Sequence, residues 1–150
     1  MKYIKLFNES LNSDNLREFC EINLAYLLDE YDLKMTPITL NSGAEAQILE
    51  IRTYTKYNRD TSTFSNPIGH FYWNDIKDHV IPFLKRLKKS YRIYGITFDA
   101  RGYSGAIDIK GSSINALINE QYDRITIPAY SYALLNKDFT YFSIVVREKL

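Results

Sequence analysis

Asn15-Leu16-Arg17-Glu18-Phe19-Cys20, continued by Leu24, Leu27, Leu28 and Tyr31, is the stretch that decides the fold, because it opens a pattern met again later in the chain. Its apolar residues recur at helical spacing, while Glu21, Asn23, Asp29 and Glu30 fill much of the opposite face. Asn15 with Glu18 three residues on reads as a capping box. Two strand-like runs follow. In Leu33 to Leu40, Pro37 cannot donate to a ladder and so indicates an edge strand. In Ala46 to Thr55, Ile48, Glu50, Arg52 and Tyr54 alternate with Gln47, Leu49, Ile51 and Thr53. Asn41-Ser42-Gly43 between them is a turn signal, so the two runs are expected to form a hairpin.

The same order returns from Asn74 to Lys110. Trp73-Asn74-Asp75 opens a second helix with Ile76, Val80, Phe83, Leu84 and Leu87 on its inner face, and Pro82 inside it should kink it. Tyr91 to Asp99 and Gly105 to Lys110 read as strands joined by Ala100-Arg101-Gly102-Tyr103-Ser104. Ser113 is read as the cap of a short helix carrying Ile114, Leu117 and Ile118. Arg124 to Pro128 and Phe139 to Arg147 are read as further strands, with Asn136-Lys137-Asp138 as the turn before the last. Helices alternating with hairpins predict an α+β fold: a two-layer sandwich with a mostly antiparallel sheet and two main helices on one face. Its nearest architecture is ferredoxin-like or permuted ferredoxin-like, in a single domain over 1–150.

Composition narrows the function classes without choosing one. The chain is 45% hydrophobic and 25% charged, too apolar for a disordered chain. Its 13 Tyr suit sheet surfaces and interfaces, where the ring buries area and the hydroxyl stays wet. With 19 basic against 18 acidic residues, global charge does not draw it to nucleic acid or an acidic membrane, so such binding needs a local patch. Cys20 is the single cysteine, which excludes an intramolecular disulfide and a cysteine-rich zinc site. No apolar run is long enough for a membrane helix and the start lacks an apolar signal region, so a cytoplasmic location and no membrane partner are expected.

Catalytic motifs are sparse. His70 and His79 lack metal or triad spacing, no Gly-x-Ser-x-Gly elbow occurs, and the glycines fit neither phosphate-loop nor dinucleotide patterns. The sharpest chemical lead is Asp99 followed by Asp108-Ile109-Lys110. A carboxylate ending one strand and an acid-x-Lys on the next resembles the PD-(D/E)xK nucleases. That resemblance implies a Mg²⁺ or Mn²⁺ ion held by Asp99 and Asp108, with Lys110 orienting the attacking water. Phe98 stands where the family has proline, and Asp-x-Lys also occurs at Asp32 and Asp75. With a tight hairpin Asp108 should pair near Gly95, leaving the acids about 13 Å apart along the sheet. On that geometry they are acids flanking a turn, with no metal and no cofactor.

Binding leads come from aromatic and basic residues. Arg52 with Tyr54, and Arg92 with Tyr94, share strand faces in the mix that single-stranded nucleic-acid or nucleotide binders use. Lys85, Lys88 and Lys89 crowd the end of the second helix, where they suit its dipole or, with Arg92, form a small phosphate-binding patch. Lys56 to His70 is a long stretch without periodicity, a candidate binding loop or a plain insertion. Finally, Met1-Lys2-Tyr3-Ile4-Lys5-Leu6-Phe7-Asn8-Glu9 resembles the short leader of tailed-phage internal head proteins, with Phe7 in place of the usual aliphatic residue. That resemblance implies a phage-encoded protein, in the host cytoplasm or the virion. The expected function is therefore a non-enzymatic binding or interaction protein, virion-associated or acting in counter-defence. Its partner is expected to be a host or virion protein, with nucleic acid and a second copy of the chain as alternatives.

Overall fold

The computed structural model describes residues 12–53, 57–58, 63–64, 71–100 and 106–149. The leader motif, Tyr54, His70, the Arg101–Ser104 part of the expected turn and most of the aperiodic stretch lie outside them. In chain order the elements are α1 (Asn12–Asn23), α2 (Ala25–Leu28), β1 (Tyr31–Thr39), β2 (Glu45–Thr53), β3 (Tyr57–Asn58), β4 (Thr63–Phe64) and β5 (Phe71–Tyr72). There follow α3 (Trp73–Ser90), β6 (Tyr91–Ala100), β7 (Ala106–Ile109), α4 (Ser112–Ile118), a 3₁₀ turn (Tyr122–Arg124), α5 (Pro128–Asn136) and β8 (Asp138–Glu148).

The two helix-hairpin units fold as expected and flank the last strand. The main sheet runs β1-β2-β8-β6-β7, with β5 paired to the start of β8. Every pairing described is antiparallel. This is a two-layer α+β protein with helices packed on a six-stranded antiparallel sheet. The ferredoxin-like path, two βαβ units sharing one sheet, is not confirmed by this order, in which two hairpins flank the last strand β8. β1 is an edge strand, which accommodates Pro37, and Gly43 turns the β1–β2 hairpin at φ +86°, with its N–H donating to the Leu40 carbonyl at 2.8 Å.

Register sorts the sheet side chains into two faces. On the helix side, one row runs Leu33, Ile51, Phe142, Phe98, Ile107 and the next Met35, Leu49, Ile144, Ile96, Ile109. These rows meet Leu16, Cys20 and Leu24 of α1, Trp73 to Leu87 of α3, and Ile114, Leu117, Ala133 and Leu134 from α4 and α5 in one apolar cluster. Aromatic rings fill its middle: Phe98 lies 5.5 Å from Trp73, 5.2 Å from Phe139 and 5.8 Å from Phe142. Such tilted and edge-on pairs add stability beyond the area they bury.

Several local expectations are corrected. Helix α1 already begins at Asn12, so Asn15 lies within it and forms no capping box with Glu18. The helical run also breaks at Leu24, and Leu27 and Leu28 belong to the separate turn α2. Ser113 is buried inside α4 rather than capping it; its hydroxyl lies 2.7 Å from that of Thr126, and Gly111 at φ +59° precedes the helix instead. Arg124 to Pro128 is not a strand. It leaves the 3₁₀ turn and enters α5, which Pro128 starts at a position where a missing N–H costs nothing. Within the stretch expected to lack regular structure, β3 and β4 form a short ladder. Pro82 sits inside α3, which runs unbroken from Trp73 to Ser90. Among the described residues no helix is long and apolar enough to cross a membrane.

Candidate functional site: the outer face of the sheet

The alternate sheet residues point away from the helices. Reading across β1, β2, β8, β6 and β7, one outer row is Asp32, Arg52, Tyr141, Asp99, Ala106. The next is Lys34, Glu50, Ser143, Thr97, Asp108, and the third begins Thr36, Ile48, Val145, Gly95. Beyond it Arg92 stands directly opposite Arg147. Apart from Ala46 and Gly95, the described side chains on this face are half-buried or exposed.

One end of the face is acidic. Asp108 does not pair near Gly95 as expected; it pairs with Thr97, while Asp99 pairs with Ala106. The two acids are thus diagonal neighbours on one face, about 7–8 Å apart at the side-chain bases. The expected separation was too long because the observed register places Asp108 two positions further along β6, opposite Thr97 and not Gly95. Each carboxylate has a hydroxyl partner. Thr97 Oγ1 donates to Asp108 Oδ1 at 2.7 Å, and Thr140 Oγ1 donates to Asp99 Oδ2 at 3.0 Å. Arg52 Nε donates to Glu50 Oε1 at 2.8 Å, an ion pair within β2. Tyr141 sits among these charges. Its own partial burial first, then Asp99 and Glu50, raise its hydroxyl pKa, with Arg52 pulling the other way. Among the described residues no group of three His, Cys, Asp or Glu side chains is placed to hold a metal ion. A divalent ion in this region would rely on Asp99 and Asp108 alone, with Lys110 as the neighbouring cation.

The other end is basic and indented. Arg92, Tyr94, Arg147, Glu148 and Lys149 line a cleft of about 250 Å³. A second, of about 200 Å³, shares Arg92 and Lys149 but opens on the helix side, where Lys88, Tyr91, Ile93, Ile114 and Asn115 line it. The Lys149 backbone N–H donates to the Ser90 carbonyl at 3.0 Å, tying the end of β8 to the end of α3. Lys88 Nζ donates to Asn115 Oδ1 at 3.0 Å. The β6–β8 register skips Tyr94, with Ile93 opposite Val146 and Gly95 opposite Val145. This bulge inserts Tyr94 without a cross-strand partner, and bulges re-aim side chains in this way. A side chain at Gly95 would lie 3.6 Å from Lys110 Cγ, so the glycine leaves room for the Lys110 stem across the strand.

The residues singled out from sequence therefore divide. Arg92 and Tyr94 come together with Arg147 and Lys149, which sequence reasoning missed, while Lys88 joins Arg92 and Lys149 in the second cleft. Arg147 could have been found only from the β6–β8 register, since it lies far from Arg92 in sequence. Arg52 stands at the acidic end in its ion pair, and Tyr54 lies outside the described residues. Lys85 and Lys89 are exposed on α3 and line neither cleft. Cys20 is buried in the core, where lost solvation pushes its thiol up to about 12, so it is no nucleophile. No protein-family model, curated protein or solved structure matches the chain.

Proposed function

We propose that this chain is a small non-enzymatic binding protein that meets its partner through the outer face of its sheet. The observation that carries this reading is the juxtaposition of Arg92 and Arg147 on paired strands, beside the bulged Tyr94 in one cleft. Like charges directly opposite each other across a sheet are destabilising, and an acidic partner relieves them. The resemblance of Met1 to Glu9 to phage head-protein leaders adds a setting: a phage-encoded protein in the host cytoplasm or the virion, bound to a host or virion component. Counter-defence and virion assembly both fit such a role.

One observation supports a second reading. The register brings Asp99 and Asp108 to diagonal positions, with Lys110 over Gly95 on the same face, so the acids of the nuclease-like motif are closer than the register expected from sequence placed them. Both readings meet in one experiment: the purified protein is incubated with single- and double-stranded DNA and with RNA in Mn²⁺. Nucleic acid left intact is the expected result. Cleavage abolished by Asp108→Asn would overturn the binding-protein reading in favour of a metal-dependent nuclease.

A further inference from the structure

We infer that the basic cleft at the β6–β8 end of the outer face is a single-stranded nucleic-acid site, with backbone phosphates on Arg92, Arg147 and Lys149 and a base against Tyr94. This deepens the binding reading above and rests on it. Arg92 lies on the part of β6 that β7 does not reach, where a charge serves to discourage edge-to-edge pairing. Edge protection accounts for one cation there. It does not account for Arg147, which stands directly opposite on β8, the central strand. No ion pair among the described residues engages either guanidinium. Two arginines on paired positions lining one cleft offer several donors to phosphate oxygens.

The surroundings extend the site beyond a single anion. Lys149 lines both clefts, Lys88 stands in the second, around the sheet's end on the helix side, and the Lys110 stem crosses the sheet beside Gly95, next to Tyr94 in sequence. Cations thus continue on either side of the arginine pair, as a polymer of phosphates requires and a lone phosphate does not. The aromatic ring completes the chemistry. Single-strand binders combine a basic groove with aromatic side chains on which bases stack, and the bulge places Tyr94 beside the arginines without a cross-strand partner to cover it. An acidic peptide would satisfy the cations but gives no reason for the ring. Duplex DNA is disfavoured, because its bases are stacked on one another and present no free face to the Tyr94 ring. Glu148 also lines the cleft and opposes an anion there. Its strand position, opposite Tyr91, belongs to the other face of the sheet, so it bounds the site at its rim.

The test uses the full chain and fluorescence anisotropy of a labelled oligodeoxythymidylate, in EDTA, across a salt series. Affinity should fall linearly with salt on logarithmic axes, by about 0.7 in slope for each phosphate held. The double variant Arg92→Ala/Arg147→Ala should flatten that slope by about 1.4. Tyr94→Ala should weaken binding about tenfold while Tyr94→Phe keeps it, since the ring is what stacks. Glu148→Gln should tighten binding. The double variant removes a repulsion, so its melting temperature should not fall, and lost binding cannot then be ascribed to unfolding. An unchanged slope in the double variant, or tighter binding of a polyglutamate peptide of equal charge, would overturn the inference. So would a wild-type chain that leaves the oligonucleotide unbound at about 50 mM salt. In that last case, with the nucleic acid also left intact in Mn²⁺, this inference fails alone. Cleavage in Mn²⁺ instead brings down the binding-protein reading with it.

Discussion

On the helix side of the β6–β8 pair, Phe98 faces Phe142; on the outer side, one residue along each strand, Asp99 faces Tyr141 and Thr97 faces Ser143. The same backbone ladder supports both sets, so neither position nor register explains the contrast. The inner rows are apolar from edge to edge and buried apart from half-buried Leu33 and Met35 on the edge strand, while the outer rows mix acids, bases and hydroxyls, with Thr36, Ile48 and Val145 as a less polar band between the acidic and basic ends. Stability is concentrated on one face, and the other is left to meet something else. A substitution should therefore act on folding when made inside and on binding when made outside.

The largest effect should come from the inner face. Phe98→Ala removes a ring in contact with Trp73, Phe139 and Phe142. It should destabilise by about 3–5 kcal/mol, read as a fall in the urea midpoint. A loss near zero would mean the two faces are not specialised as described. Next comes the polar contact that the core tolerates. Trp73 is fully buried, and its indole N–H donates to the Tyr122 hydroxyl at 2.7 Å. Tyr122→Phe strands that donor and should cost about 1–3 kcal/mol by the same measurement.

Alkaline pH should also separate the faces. Burial first, with nearby acids adding to it, raises the hydroxyls of Tyr31 and Tyr91 on the inner side and of Tyr141 on the outer side above their ordinary value of 10.0. A group whose pKa is raised by folding contributes stability that is present below its unfolded pKa and lost as pH climbs through the folded one. Stability should therefore hold through neutral pH and fall above about 10, tracked by denaturant midpoints from pH 7 to 11.5. Tyr141→Phe should change that alkaline loss less than Tyr91→Phe, since Tyr91 packs against the core. Equal effects would show the outer tyrosine to be as much a part of the fold as the inner one.

What the sequence disclosed follows the same division. The helix-hairpin repeats, the alternation in β2 and the edge position of Pro37 were legible because each is local, set by periodicity or by a missing donor. The central place of β8 was not, because no feature of Phe139 to Arg147 says which hairpin it joins, and it joins both. Ile125-Thr126-Ile127 favours a strand by its branched side chains, yet Thr126 is held to Ser113 and Pro128 starts a helix immediately after. The outer site shows the limit most plainly. Arg92 and Tyr94 were visible as a strand pair, but their partner Arg147 enters only through long-range register, and the bulge that inserts Tyr94 has no sequence signal. The Asp99 to Asp108 separation was misjudged for a related reason: strand pattern alone leaves the register of the β6–β7 pair open.

The smallest expected effect is the most discriminating. Arg147→Glu turns a like-charged pair into an opposite one at directly opposed positions, which should stabilise by about 0.2–1 kcal/mol. The gain is modest because Arg92 is exposed and solvent screens the pair. A slightly higher melting temperature, larger at low salt than at high, is the expected outcome. The same change should remove affinity for any acidic partner. A variant that folds better and binds worse would mean the arginine pair is kept at the expense of stability, as functional sites often are. If Arg147→Glu instead destabilises, the guanidinium supports the sheet through its stem, and the outer face is less distinct from the inner one than its rows suggest.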